Sequence, residues 1–146
     1  MSAPLLISSA GDMLAKARYD LQTMQDDLNA YTVFNYFVTC YHISDYVKGL
    51  DSVSPLTAFR RDPDFQTANF ICNRGKHFKL DRSNQKNVDE VLTGSMLGLM
   101  RLGAVRLGEP IHWRLYIDGN EVDPVELAGR LVDKWEQFFR RNNIPW

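Results

Sequence analysis

Residues 30–50, AYTVFNYFVTCYHISDYVKGL, are apolar on nearly every side of a helix. At 100° per residue, one face gathers Val33, Tyr36, Phe37, Cys40, Ile43 and Val47. The opposite face gathers Tyr31, Phe34, Asn35, Val38, His42, Asp45 and Tyr46. A helix with so little polar surface is expected at the centre of its bundle. The sequence therefore predicts a bundle built around this segment, with Asn35, His42 and Asp45 directed at protein rather than at bulk water.

Capping signals predict the helices around this central segment. Ser9 and Asp12 form an S-x-x-D start ahead of an apolar stripe. Asn29 is expected to end that first helix and to cap the central one. Two later helices are predicted to begin at Asp62-Pro63 and at Asp123-Pro124, because proline is favoured at the first helical position. The helix after Pro63 runs into the polar stretch NRGKHFKL, residues 73–80.

The pattern changes to strands late in the chain. Residues 91–108, VLTGSMLGLMRLGAVRLG, predict two short strands, and residues 111–117 alternate apolar and polar side chains before a turn at Asp118-Gly119. The predicted fold class is α+β and mostly α: a helical bundle, a small late antiparallel sheet and a C-terminal amphipathic helix. We expect one domain over residues 1–146, with a helical part at 8–83, a sheet at 88–122 and the last helix at 123–142.

Composition narrows the classes of function. The formal net charge is −1, from 17 Lys and Arg against 18 Asp and Glu, so contact with RNA or a nucleotide would need a local basic patch. Cys40 and Cys72 lie in apolar stretches and outside any C-x-x-C pair, which predicts buried thiols and no zinc. No cofactor is expected. The first residues do not resemble a signal peptide, and no stretch could span a bilayer. We therefore expect a cytoplasmic protein with no membrane contact.

Two pairs of polar residues could form a catalytic site. His42 and Asp45 are three residues apart on one helix, and Arg74 and His77 are three apart on another. If these helices pack antiparallel through those faces, an acid, a base and a cation for a developing phosphorane come together. The alternative is structural: a histidine beside an aspartate is often a satisfied polar pair. A metal site built from His42, Asp45 and His77 has no H-E-x-x-H-type support, and no metal is predicted.

Three further residues are candidates for binding. Asn73 and Lys76 accompany the arginine and histidine of NRGKHFKL, and Trp146 ends the tail Ile144-Pro145-Trp146. An aromatic side chain at a chain surface can anchor a protein partner or a second copy in a homodimer. Packing of the tail back onto its own bundle is the alternative.

The chain resembles a group of small uncharacterised bacterial and phage-related proteins. The resemblance is carried by CYHISDYV, ICNRGKHFKL and YIDGNEVDPVELAGRLVDKWEQFF. The pattern is a helix with H-x-x-D, a helix ending in N-x-x-K-H-hydrophobic, then a strand, a D-G turn and an amphipathic helix with aromatic residues at its end. This resemblance covers most of the chain and implies no established activity.

The helical part is also loosely similar to HEPN domains. These are helical bundles, often dimeric, and many are metal-independent RNases with an R-x4-6-H signature. Arg74 and His77 match that signature in residue type, but their spacing is R-x-x-H. The late β-hairpin is not part of the common HEPN core. The resemblance implies RNase activity or a noncatalytic relative.

Two classes of function follow. The first is a small macromolecule-binding protein, in bacterial or phage defence or counter-defence, without catalysis. The second is a HEPN-like metal-independent RNase or nucleotide-processing enzyme that uses His42, Asp45, Arg74 and His77. The short R-x-x-H spacing favours the binding class.

Overall fold

The computed structural model describes residues 7–50, 53–76, 88–93 and 112–146. These ranges contain five helices: α1 (Ala10–Asp26), α2 (Ala30–Lys48), α3 (Val53–Phe59), α4 (Pro63–Lys76) and α5 (Pro124–Arg141). They also contain three strands: β1 (Val88–Thr93), β2 (His112–Ile117) and β3 (Asn120–Val122). The predicted class, α+β and mostly α, is confirmed. The predicted continuation of the helical part to residue 83 and the second strand predicted within residues 91–108 lie outside the described residues.

Side-chain caps set the ends of α1 and α2. The Ser9 hydroxyl accepts a hydrogen bond from the Asp12 amide, and the Asp12 carboxylate accepts one from the Ser9 amide, each over 3.0 Å. Asn29 Oδ1 accepts from the amides of Tyr31 and Thr32, and the Thr32 hydroxyl accepts from the Asn29 amide. Both are reciprocal capping boxes. The predicted start at Ser9 and the cap at Asn29 are confirmed, and they join α1 and α2 into a tight hairpin.

The other two predicted helix starts are confirmed as well. The Asp62 carboxylate accepts a hydrogen bond from the Asp64 amide over 2.8 Å, directly before α4. The Asp123 carboxylate accepts from the amides of Val125 and Glu126, and Pro124 occupies the first position of α5. Each aspartate satisfies amides that the first helical turn leaves without a partner.

Buried hydrogen bonds fix the direction of α5 against α2. The Tyr36 hydroxyl donates to the Ala128 carbonyl oxygen over 2.6 Å, and the Trp135 indole N–H donates to the Cys40 carbonyl oxygen over 3.1 Å. Residue numbers rise together on the two helices, so α2 and α5 run parallel. Helix α1 runs the other way, because Thr39 contacts Asp20 whereas Tyr46, later in α2, contacts Ile7.

Helix α4 is antiparallel to both α2 and α5. Arg60, before α4, contacts Ser44, and Phe65, in its first turn, stacks on Tyr41. The contact residues on α2 therefore fall in number as α4 proceeds. On α5 they also fall, from Phe138 and Trp135 beside Phe59 to Arg130 beside Asp64. The four long helices form an up-down-up-down bundle with the short α3 between the second and third.

Helix α2 lies at the centre of this bundle, as predicted. It packs against α1, α3, α4 and α5. Its inward face is almost completely buried: Val33, Tyr36, Phe37, Cys40, Ile43 and Val47. Trp135 and Phe139 of α5 lie opposite this face, and neither has any exposed surface. Aromatic rings from Phe59, Phe65 and Phe138 surround Trp135 at centroid distances of 4.1 to 6.0 Å.

The opposite face of α2 corrects one prediction. Asn35 and Asp45, expected to point at protein, are exposed to solvent, and His42 keeps about a third of its side-chain surface exposed. The reason is the position of the neighbours: α1 and α4 flank this side of α2 and do not cover it. Phe34 and Val38 on the same face are half-buried, which explains why its composition resembled an inward face.

The sheet packs one face onto the bundle. Strand order is β1-β2-β3, antiparallel throughout, with Glu90 opposite Leu115 and Leu115 opposite Val122. Leu115 and Ile117 are buried in the same apolar cluster as the helices, as the period-two pattern predicts. Asp118 and Gly119 join β2 and β3 with positive φ angles of 50° and 79°, which is the backbone of a type I′ turn. The predicted turn is confirmed.

Candidate functional site

The first half of the predicted catalytic cluster is a hydrogen-bonded pair on the outward face of α2. His42 Nδ1 and Asp45 Oδ2 are 2.7 Å apart, and their side chains are 33% and 58% exposed. The Tyr41 ring lies nearly perpendicular to the imidazole, at a centroid distance of 5.3 Å. A carboxylate at Nδ1 fixes the orientation of the ring, which is how carboxylates support a proton-transferring histidine. The pair is at the surface, so it is also an ordinary i, i+3 surface interaction.

Arg74, from the second half of the cluster, lies near the end of α4. Arg74 lies nine residues after Phe65, so its backbone is roughly 13 Å further along the helix axis. Because α4 is antiparallel to α2 and Phe65 stacks on Tyr41, this displacement leads towards the beginning of α2, away from His42 and Asp45. His77 lies outside the described residues. The four-residue cluster stays a prediction, and the direction of α4 places Arg74 at a different level from the histidine–aspartate pair.

The candidate binding residues of α4 are only partly described. Asn73 is half-buried and donates a hydrogen bond from Nδ2 to Asn69 Oδ1 over 2.9 Å. This pair lies along the axis of α4 and occupies part of the hydrogen-bonding capacity of Asn73. Lys76 is the last residue of α4.

Trp146 packs back against the start of α1. A Cβ added at Gly11 would lie 2.8 Å from the Pro145 carbonyl oxygen and 3.0 Å from Trp146 Cα, so the tail crosses α1 in backbone contact at a glycine. The guanidinium carbons of Arg18 and Arg140 lie 4.5 and 5.3 Å from the centroid of the indole ring. Both distances are within the range of cation–π attraction. The ring is nevertheless 49% exposed.

The arginine closest to this ring is itself held in place. Arg18 binds the Glu136 carboxylate of α5 through Nε at 2.8 Å and Nη2 at 2.6 Å. We call Gly11, Arg18, Arg140 and Trp146 the Trp146 patch. Its side chains are fixed before any partner arrives, because a salt bridge, two cation–π contacts and a backbone crossing all act on them. The sequence offered Trp146 as a candidate, but it gave no indication of Arg18 or Gly11.

A second group that sequence reasoning missed is buried between α1 and α2. Asp20 is 8% exposed and accepts hydrogen bonds from the Lys16 ammonium and from the Thr39 hydroxyl, the latter over 2.6 Å. Lys16 also donates to the Thr39 hydroxyl over 2.8 Å. The carboxylate is paired and hydrogen-bonded, as a buried charge requires. The group binds two helices together and we assign it a structural role.

A network of charges connects α4 to α5. Asp64 accepts hydrogen bonds from Arg130 at 3.2 Å and from Lys134 at 2.8 Å, and Lys134 also binds Asp62. Burial acts to raise the pKa of Asp64, but the hydrogen bonds from the two cations outweigh it and hold this pKa below its ordinary value of 3.8. Arg130 and Lys134 therefore take part in a helix–helix contact, although the Arg130 side chain is 48% exposed.

A surface cavity of about 230 Å³ opens beside this network. It is lined by Phe59, Asp62, Lys134, Gln137, Phe138 and Arg141. Ligand pockets usually enclose about 300–1,000 Å³. The lysine on its wall is already engaged by two carboxylates, at 3.0 and 2.8 Å. We therefore assign this cavity no ligand.

The two cysteine thiols lie in the interior of the protein. Cys40 and Cys72 are both buried, and neither is in a disulfide. Burial raises the pKa of the Cys40 thiol to about 12.

Within residues 7–50, 53–76, 88–93 and 112–146, no three His, Cys, Asp or Glu side chains are grouped closely enough to hold a metal ion. No helix in these ranges has the length and apolar character needed to cross a membrane.

Comparison of this chain with protein-family models, with curated proteins and with solved structures finds no match. The resemblances to small phage-related proteins and to HEPN domains stay predictions. Among the residues that the structure describes, the His42–Asp45 pair and the Trp146 patch are exposed arrangements from which a function can be argued.

Proposed function

We propose that this protein is a small macromolecule-binding protein and that it binds another protein through the Trp146 patch. The observation that supports the proposal is a tryptophan that is half exposed yet fixed, with arginines 4.5 and 5.3 Å from its ring. Tryptophan and arginine are the residues most enriched where alanine substitution destroys binding. A fixed anchor also loses little side-chain entropy on association.

The chemistry of the patch indicates what it would bind. The indole offers a flat apolar surface, and Arg18 and Arg140 place positive charge at its edge. Glu136 offsets part of the charge of Arg18. A partner that presents an apolar side chain next to acidic residues matches this arrangement. Action in the cytoplasm, within a bacterial or phage defence system, belongs to the same proposal.

The test begins with the immobilised chain and a lysate of its source cells. Proteins retained on the chain are identified by mass spectrometry, and one retained protein is then purified. We expect Trp146→Ala to weaken its affinity at least tenfold. Tyr19→Ala is the matched control, because Tyr19 is 71% exposed on α1 and outside the patch, and we expect it to bind like wild type. Equal affinity of wild type and Trp146→Ala would contradict the proposal.

One observation favours a second candidate, the metal-independent RNase. The 2.7 Å contact between His42 Nδ1 and Asp45 would hold the imidazole in one orientation, as a carboxylate does for a proton-transferring histidine. The test is cleavage of RNA in the presence and absence of EDTA by wild type, His42→Ala and His77→Ala. Cleavage that survives EDTA and is lost in both variants would favour this candidate over protein binding. Absence of cleavage by the folded wild type would remove it.

A further inference from the structure

The outward face of α2 carries a regular stripe. Tyr31, Asn35, Val38, His42 and Asp45 follow one another at steps of four, three, four and three residues. This spacing keeps all five residues on one face of the helix. The stripe spans roughly 21 Å of helix.

The stripe is open to solvent along its length. Tyr31 is 81% exposed, Asn35 is exposed, and the side chains of Asp45 and His42 are 58% and 33% exposed. Val38, in the middle, is half-buried.

We infer that this stripe pairs with the same stripe of a second copy of the chain, antiparallel, about a two-fold axis at Val38. The reason is that the stripe is complementary to itself when reversed. Reversal places Tyr31 opposite Asp45, so that a phenolic hydroxyl meets a carboxylate acceptor. It places Asn35 opposite His42, so that an amide meets an imidazole, and it places Val38 opposite itself.

The parallel arrangement lacks this complementarity. It would set Asp45 against Asp45, and like charges at close range repel. A two-fold interface, in which each residue away from the axis makes the same contact twice, is the common geometry of homodimers. This face is separate from the Trp146 patch. A variant can therefore lose self-association and still bind a different protein, or lose that binding and still self-associate.

Two substitutions at one exposed position test the pairing. With 81% of its surface exposed, Tyr31 can be changed without disturbing the core. Tyr31→Asp would face the Asp45 carboxylate of the second copy in two symmetric places, and we expect it to raise the dimer dissociation constant about tenfold. Tyr31→Lys would face the same carboxylate with the opposite charge, and we expect dimers at least as tight as wild type.

The measurement is sedimentation equilibrium of the full chain from about 1 to 500 µM, with circular dichroism to confirm that both variants are folded. A wild-type dimer that is weakened by aspartate and retained by lysine supports the antiparallel pairing. A wild type that stays monomeric over the whole range overturns it. A dimer whose dissociation constant is unchanged by both substitutions also overturns the antiparallel pairing, because the contact then lies elsewhere. A dimer that both substitutions weaken equally overturns it too, because Tyr31 then does not face Asp45.

Discussion

The indole N–H of Trp135 and the main-chain carbonyl oxygen of Cys40 form a 3.1 Å hydrogen bond at a point where neither residue has any exposed surface. A buried indole N–H without an acceptor would cost about 1–3 kcal/mol. Sliding α5 along α2 would break this bond, and also the bond from Tyr36 to Ala128. Two polar contacts within an apolar core therefore fix the register of the parallel helices more strictly than apolar packing does.

Tyr36→Phe should reduce the free energy of unfolding by about 1 kcal/mol, because it deletes one buried hydrogen bond and leaves the ring in place. The Tyr36 hydroxyl donates to the Ala128 carbonyl oxygen over 2.6 Å. The measurement is urea unfolding followed by circular dichroism. Tyr19→Phe removes a hydroxyl from a side chain that is 71% exposed, and it should leave stability unchanged. Similar stability of the two variants would mean that the Ala128 contact contributes nothing.

Asp64→Asn should destabilise the protein by about 1 kcal/mol at neutral pH, since it removes a carboxylate that binds two cations. The pKa of Asp64 is lowered in the folded state, so its contribution is fully present above the ordinary value of 3.8 and disappears as pH falls through the lower, folded value. The difference in stability between wild type and variant should therefore shrink below about pH 4.

The check is a series of thermal unfolding curves from neutral to strongly acid pH. Glu121→Gln is the matched control, because Glu121 pairs with Arg114 over 3.6 Å with both side chains about half exposed. We expect that variant to follow wild type at every pH. A difference between wild type and Asp64→Asn that stays constant down to the lowest pH would show that the carboxylate charge is not what stabilises the α4–α5 contact.

Gly11→Ala should displace the tail from α1. The added methyl carbon would come within 2.8 Å of the Pro145 carbonyl oxygen, and a backbone atom cannot give way as a flexible side chain can. The indole N–H resonance of Trp146, assigned by its loss in Trp146→Phe, should move towards the position of a solvent-exposed indole. Gly129→Ala has nothing within 4 Å of the new carbon. It should leave that resonance in place and stabilise α5 by up to about 1 kcal/mol. An unmoved Trp146 resonance in Gly11→Ala would refute the backbone crossing.

Cys40 should resist alkylation while the protein is folded. Burial raises its pKa to about 12, so at pH 8 almost no thiolate forms, and the thiolate is the reactive species. Iodoacetamide treatment at pH 8, followed by peptide mass spectrometry, should find Cys40 unmodified in native protein and modified in urea. Rapid modification under native conditions would mean that the bundle opens at α2 far more often than its packing suggests.

The sequence predicted best what short-range chemistry decides. Ser9, Asn29 and Asp123 were identified as caps because a side-chain oxygen satisfies amides only two or three residues away. The turn at Asp118-Gly119 was equally local. The inward face of α2 followed from its periodicity, since every member of that face is apolar.

Features that depend on distant residues could not be predicted. Asp64, the partner of Arg130 and Lys134, is 66 and 70 residues away from them, so helix periodicity gives no sign of this contact. Gly11 and Pro145, which are also in contact, are even further apart in the sequence. For α2, both faces contain apolar residues, so the pattern could not tell which side the neighbours would leave open.

The hydrogen bond between Tyr36 and Ala128 joins residues 92 positions apart, and this has a consequence for synthesis. At about 5–20 residues per second, roughly 5–18 seconds pass between the production of these two residues. During that interval the α1–α2 hairpin can form, but the apolar side of α2 has no α5 to cover it. On every ribosome that translates it, the nascent chain would then expose an apolar helix surface to which other proteins can bind non-specifically. Chaperones that shield emerging chains should therefore influence the yield of this protein more than the stability of its finished fold suggests.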